Sequence, residues 1–146
     1  MDISLRCATV SDLEQINKIE ETLEHRILSY PTLSYTLGKD ANCFYVATID
    51  NHIIAYICAE VLVDHIDILS IAVLKEYRRK NVATLLLNKL FDFCKTQKIS
   101  DVFLEVRQTN INAICFYEKI GFEKISKRNN YYADTHEDAY IYKKTV

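Results

Sequence analysis

Residues 66–89, IDILSIAVLKEYRRKNVATLLLNK, join a strand pattern, a basic turn and a helix pattern in one run. An apolar run of strand type covers 66–74. It ends in a charged turn, 75–81, that carries Arg78, Arg79 and Lys80. A helix pattern begins at Val82 and runs to 98, with Val82, Leu86, Leu90, Phe93 and Cys94 on one face and Leu85 and Leu87 widening it. Such a stripe is broad enough to pack on a sheet. The first N–H groups of a helix have no intrahelical partner, and the aligned peptide dipoles add positive potential there. A strand that feeds a basic turn and then a helix N-terminus is therefore a candidate phosphate pocket.

Upstream, 3–9 alternates weakly and predicts a first strand. An amphipathic helix is expected over 11–26, started by Ser11 with Glu14 three residues later and carried by Leu13, Ile16, Ile19, Glu20 and Leu23 at helical spacing. Pro31 interrupts this pattern, a short second helix is expected over 32–37, and 38–42 reads as a polar loop. Strands at 43–49 and 53–63 flank Asp50-Asn51, a hairpin signal, and Asp64-His65 turns the chain into the strand at 66. Downstream, 101–107 is a strand with Val102, Leu104 and Val106 on one face and Phe103, Glu105 and Arg107 on the other. Thr109 or Asn110 opens a short helix that runs to 119 and closes on Gly121, where a positive φ costs a glycine little. Two last strands, 122–127 and 139–144, flank a polar segment with the pair Tyr131-Tyr132. The order β-α-α-β-β-β-α-β-α-β-β predicts one mixed α/β domain over 1–146.

Composition narrows the function classes. A chain of 146 residues, 49% hydrophobic and 26% charged, has the size and balance of one folded soluble domain. A net charge of −2 argues against nucleic-acid binding by the molecule as a whole. No apolar stretch approaches the length of a membrane span, and the first residues lack the pattern of a secretory signal. Five cysteines, an odd number without CxxC spacing, read as reduced core thiols in a cytoplasmic protein. Four scattered histidines show no ligand spacing, so no metal is expected. The expected assembly is a monomer or weak dimer.

Four pieces of sequence carry a resemblance: Leu69-Ser70-Ile71-Ala72-Val73; Tyr77-Arg78-Arg79-Lys80-Asn81-Val82-Ala83; Leu104-Glu105-Val106-Arg107 with Asn110 and the 116–122 run FYEKIGF; and Asn130-Tyr131-Tyr132-Ala133-Asp134 with Glu137-Asp138-Ala139. In this order and spacing the chain resembles the GNAT acetyltransferase superfamily. Within it the likeness is to N-terminal acetyltransferases, both the bacterial ribosomal-protein-alanine enzymes and the archaeal and eukaryotic catalytic subunits. The resemblance implies an α/β fold, a single domain with a mixed, mostly antiparallel seven-stranded sheet, splayed central strands and about four flanking helices. It also implies acetyl-CoA as co-substrate, with no metal.

The resemblance assigns roles residue by residue. Arg78, Arg79, Lys80, Asn81, Val82, Ala83 and Thr84 would hold the coenzyme diphosphate. Asn81 stands where the family pattern has glycine. Asparagine is the residue next most tolerant of the left-handed region, so the turn is expected to form, with the extra side chain crowding the ligand. The backbone of Ile71, Ala72 and Val73, freed by a bulge, would pair with the pantetheine amides, and an N–H such as that of Val73 would polarise the thioester carbonyl. Glu105 would be the general base, because an α-ammonium with a pKa of about 8 must lose its proton before it attacks. Tyr117 would be the general acid. Asn110, seven residues before it and two turns away on one face, would hold the pantetheine or phosphate region.

Tyr131 and Tyr132 would bind the first residues of the acceptor and narrow the groove in favour of a free chain end. Tyr30, in the segment 20–35, would meet the acceptor from the opposite rim. Cys115 has no histidine in sequence context, which favours direct attack in a ternary complex over a covalent route. Blander readings stand beside these: a solvated basic turn at 78–80, a Glu105–Arg107 ion pair, Tyr117 as packing, and Tyr131-Tyr132 as a cover for the core. The function implied is acetylation of protein N-termini, a ribosomal protein being one candidate acceptor. The alternatives are acetylation of a small amine or a lysine side chain, and a non-catalytic acyl-CoA-binding subunit.

Overall fold

The apolar run at 66–74 lies in the middle of a sheet, as described by a computed structural model covering residues 2–39 and 42–146. Seven strands are found among these residues: β1 Ser4–Cys7, β2 Asn42–Ile49, β3 His52–Val61, β4 His65–Val73, β5 Asp101–Arg107, β6 Glu123–Arg128 and β7 Ala139–Thr145. They pair in the order β1-β2-β3-β4-β5-β7-β6. Only β4 and β5 run parallel; every other pair is antiparallel. The connection from β4 to β5 passes through α3, Val82–Gln97, because parallel neighbours need a crossover. The expected mixed, mostly antiparallel sheet is thus present. β6 is an edge strand with every residue exposed, and Ile125 falls at a shift in its register with β7.

Helices cover both faces. α3 packs Val82, Leu86, Leu87, Leu90 and Cys94 against β2, β3 and β4, and α4, Ile111–Ile120, adds Tyr117 to the same core. On the opposite face α1, Leu13–Glu21, and α2, Tyr30–Leu37, bury Leu13, Ile16, Ile19 and Leu33 against Phe44, Val46 and Tyr56. The helix pair on this second face lies over β2, β3 and β4, and neither helix has its main contacts with β5 or β7. Cys43, Cys58 and Cys94 are core residues while Cys7 and Cys115 are exposed, and all five are free thiols. Burial pushes Cys43 and Cys58 up to about 12, which makes them inert. No helix of the described residues is long and apolar enough to cross a membrane.

Several boundaries differ from the sequence reading. The first helix ends at Glu21 rather than 26, because the Thr22 hydroxyl donates to the Ile19 carbonyl at 2.6 Å and competes with helix continuation. Its N-terminal box uses Thr9 and Asp12, not Ser11 and Glu14: the Thr9 N–H donates to Asp12 Oδ2 at 2.8 Å. Pro31 does not break α2 but sits in its first turn behind the N-cap Ser29, whose Oγ accepts from Thr32 N–H at 3.3 Å. Proline fits there because its missing N–H is unpaired in any case. The polar loop expected over 38–42 runs through residues 40 and 41, which lie outside the described residues.

Asp12 also joins the edge strand to the helical layer. Its carboxylate takes both forks of the Arg6 guanidinium, at 2.7 and 2.9 Å, while being 5% exposed. The Arg6 hydrogen bond holds its pKa below the usual 3.8. A depressed carboxylate pKa adds stability above the unfolded value and loses it as pH falls through the folded one. Asp12→Ala is expected to cost about 1–3 kcal/mol at neutral pH. In denaturant titrations the gap to wild type should stay constant from pH 7 down to the usual 3.8 and shrink below it.

Candidate active site

β4 and β5 pair only from His65↔Asp101 to Ile68↔Leu104, although the strands continue to Val73 and Arg107. Where they part, β4 also changes register on its other edge. Cys58 faces Ser70 and Ala59 faces Ile68, so Leu69 is an extra residue without a partner. The bulge swaps the faces of the strand. Ile66 and Ile68 pack on the α3 side, Leu69 and Ala72 on the α1 side, and Ile71 and Val73 on the α3 side again. A bulge bends its strand and raises local twist, and here it does so at the point of divergence. The expected splay and bulge are both present.

Two grooves meet at this gap. One, of about 630 Å³, lies between the diverging strand ends and α4, and Ser70, Ile71, Val106, Asn110, Ala113 and Tyr117 line it. The other, of about 700 Å³, crosses the sheet beside Asp67, Asp101, Phe103, Tyr131 and Ile141. Ile27, Ile68, Leu69, Leu104, Glu105 and Tyr132 border both. Glu105 projects from β5 on the face opposite the buried Val102, Leu104 and Val106. It therefore stands where the two grooves join.

The tyrosine loop is held against this junction by ions rather than by core packing. The Arg107 guanidinium donates to both Asp134 oxygens, at 3.1 and 3.2 Å, and to Glu137 Oε2 at 3.2 Å. It lies 3.9 Å from the centre of the Tyr132 ring, a cation–π distance. Glu137 also accepts from the Thr109 hydroxyl, and its backbone carbonyl accepts from Tyr131 and Tyr132 N–H groups at 3.0 and 3.2 Å. Arg107 is thus occupied by the loop, and the anticipated Glu105–Arg107 ion pair is not among the contacts of the described residues. Hydrogen bonding to Glu105 raises the Tyr131 hydroxyl above the usual phenol range. Tyr132 is raised by burial and then by the Glu105 charge.

Tyr117 is 9% exposed in the α3-side core, and burial pushes its hydroxyl well above the ordinary phenol value. Such a phenol keeps its proton at neutral pH. Asn110 is the N-cap of α4, with Oδ1 accepting from Ala113 N–H at 3.3 Å. Both line the 630 Å³ groove, as their seven-residue spacing predicts.

The basic turn adopts the backbone that its odd asparagine requires. Asn81 sits at φ 68 and ψ 11, and Arg79 also has a positive φ of 61. Asn81 caps α3 through its backbone alone: Leu85 N–H reaches its carbonyl at 3.1 Å and its side chain makes no cap bond. The N–H groups of Val82, Ala83 and Thr84, in the first turn, precede the first intrahelical donor and point toward the helix N-terminus. Arg78 folds back, with Nε donating to the Val73 carbonyl at 3.1 Å. Arg78, Arg79 and Lys80 are exposed. This set of donors and charges suits a diphosphate.

Not every anticipated residue joins the grooves. Tyr30 opens α2, is half exposed and lines neither groove; from its segment, Leu23 to Leu28 supply the rim instead. Cys115 lies exposed on α4, outside both. Ala72, buried on the α1 side of β4, Val73 at the strand's end and the turn residues 78–84 line neither groove. Among the described residues no three His, Cys, Asp or Glu side chains gather in a way that could hold a metal ion. The sequence reading did not foresee the Arg107 network, or His25, whose Nδ1 lies 3.1 Å from Asp134 Oδ2 and ties the two rims together. The clustering of Asp134, Glu137 and Asp138 after the tyrosines was the one available signal.

Residues 10–122 match the acetyltransferase (GNAT) family. An N-alpha-acetyltransferase of Saccharolobus solfataricus is 36% identical over an alignment 153 positions long, covering 96% of this chain and 91% of that protein. A [ribosomal protein bS18]-alanine N-acetyltransferase of Salmonella typhimurium is 36% identical over 124 residues, covering 82% and 84%. The crystal structure of Ard1 from Thermoplasma volcanium superposes with a TM-score of 0.93 at 26% identity, over 100% of this chain and 99% of that one.

The left-handed turn is open to a direct test by thermal and chemical unfolding. Asn81→Gly should hold or raise stability, since glycine takes φ 68 without strain. Asn81→Val should lower it by about 1–2 kcal/mol, the cost of a left-handed residue with a branched Cβ.

Proposed function

Because the chain belongs to the acetyltransferase (GNAT) family, and is thus an acyltransferase with acetyl-CoA as its acetyl donor, we propose that it acetylates the α-amino group of protein N-termini. The observation that carries this reading is the junction of two grooves at Glu105. A donor entering along the α3 and α4 side and an acceptor entering over the sheet would meet at one carboxylate. Bound acetyl-CoA supplies an activated thioester; the chain's own residues supply position and proton traffic.

In this reading the turn at Arg78, Arg79, Lys80 and Asn81, with the N–H groups of Val82, Ala83 and Thr84, holds the diphosphate. Ile71, Ala72 and Val73 pair with the pantetheine amides, and Asn110 flanks the arm. Glu105 takes a proton from the acceptor ammonium, directly or through one water, and the free amine attacks in the ternary complex. As the C–S bond breaks, Tyr117, kept protonated by burial, gives its proton to the departing sulfur, and the second proton lost by the attacking nitrogen restores the phenol through water. Tyr131 and Tyr132 line the acceptor path. Tyr30, which lines neither groove, has no part in this reading.

Tyr131 and Tyr132, on the 700 Å³ groove, narrow the acceptor path in favour of a free chain end over a lysine in mid-chain. The names of the Saccharolobus and Salmonella relatives support the same acceptor class, with a ribosomal protein one candidate. Five free thiols fit work in the cytoplasm.

A panel of lysine-containing peptides with free and blocked N-termini, incubated with acetyl-CoA and read by mass spectrometry, tests the reading. Acetylation is expected at the α-amine alone; equal labelling of lysine in blocked peptides, or faster labelling of a simple polyamine, would overturn it. Glu105→Gln is expected to lower kcat by about 100-fold or more, and Tyr117→Phe by at least about tenfold, with acetyl-CoA affinity kept within about twofold for both. Wild-type turnover in the Glu105 variant would remove that residue from the mechanism.

A further inference from the structure

Glu20 is fully buried and has no part in the chemistry above. Its carboxylate gathers four donors from three separate parts of the chain. Oε2 accepts from the main-chain N–H groups of Ile27 and Leu28, at 2.9 and 3.2 Å. Oε1 accepts from the Tyr56 hydroxyl and from Ser70 Oγ at 2.9 Å, and those two hydroxyls lie 2.9 Å from each other. A buried carboxylate is costly unless its lone pairs are satisfied, and here each oxygen has two partners.

The partners are the informative part. Ile27 and Leu28 belong to the irregular segment between α1 and α2; both line the 700 Å³ groove, and Ile27 borders the 630 Å³ groove as well. The exposed Ile27 side chain, 54% accessible, anchors nothing, and only the partly buried Leu28 reaches the α1-side core; the segment has no strand or helix of its own. Ser70 directly follows the bulged Leu69, which borders both grooves. One carboxylate thus ties the wall of the acceptor groove to the strand at the point where β4 leaves β5.

We propose that Glu20 is a positioning residue for the acceptor, setting the height of the 27–28 wall above the bulge at Leu69. The proposal rests on the reading of the 700 Å³ groove as the acceptor path. Glu20 touches neither substrate; it acts through the backbone of Ile27 and Leu28. Its removal therefore changes how the acceptor is held, while the diphosphate turn at the start of α3 stays as it is.

The chemistry of the four donors separates this role from general stabilisation. Two are hydroxyls, which can turn and accept; two are main-chain N–H groups, which cannot. Glutamine at position 20 can direct its oxygen to the N–H pair and its amide group to the hydroxyls. Methionine, of similar length, offers the N–H pair no comparable acceptor, while Tyr56 and Ser70 can still bond to each other. Glu20→Met is expected to raise the acceptor KM about tenfold and to move the acetyl-CoA KM less than about twofold. Glu20→Gln should bring the acceptor KM back to within about threefold of wild type.

Residue-resolved amide exchange gives a second readout that needs no acceptor. The Ile27 and Leu28 N–H groups should exchange slowly in wild type and Glu20→Gln and fast in Glu20→Met. An unchanged acceptor KM in Glu20→Met, equal rises in both KM values, or unprotected exchange at 27 and 28 in wild type would each overturn the proposal. Should Glu20→Met fail to fold, exchange in wild type and the Glu20→Gln kinetics decide. Failure of wild type to acetylate any peptide would instead overturn the acceptor assignment, with the exchange result standing apart from it.

Discussion

Parallel pairing between β4 and β5 lasts for four register pairs and then stops at Ile68 and Leu104. Each strand stays paired along its outer edge past that point. β5 pairs with β7 over its whole length to Arg107, and β4 pairs with β3 up to Val73. The inner edges are left facing a gap. Main-chain groups in such a place need partners or water, and an extended ligand with amides of its own meets that need in the manner of an added strand. The placing of Glu105, Tyr117 and the tyrosine loop follows from this, since all three border the opening.

Two kinds of force hold the surroundings of the gap. On the α3 side the restraint is apolar: Leu86, Leu87, Leu90 and Tyr117 fill the space beneath the strands. On the other side polar restraints are added, through Glu20 beneath one rim and Arg107 beneath the other. Dense apolar packing resists small displacement, which suits a coenzyme of constant shape. Rims held largely by hydrogen bonds belong to the part of a structure that opens more easily.

Much of this was legible in the sequence. The alternation in Val102 to Arg107 placed Glu105 on the open face, and the seven-residue step from Asn110 to Tyr117 put both in one groove. Asparagine at 81 pointed to a left-handed residue, and φ there is 68. What escaped was long-range. Glu20 sits at an apolar spacing of the first helix, and nothing local reveals that its donors lie 7, 8, 36 and 50 residues away. The helix end at Glu21 escaped for a related reason, because Leu23 continues the period that Thr22 interrupts. Arg107 looked like a neighbour for Glu105, yet two carboxylates about thirty residues on compete for it with bidentate geometry, which a guanidinium favours.

The two outer strands of the sheet have a consequence for how the molecules behave in company. β1 is four residues long, and β6 carries Glu123, Lys124, Lys127 and Arg128 with the bulged Ile125 as its lone large apolar residue. Shortness, charge and a kink are the devices by which sheet borders avoid recruiting strands from other chains. A sheet kept open at its centre to admit guests is thereby closed at its margins to its own copies, so that crowding does not turn a ligand-accepting architecture into a template for fibres.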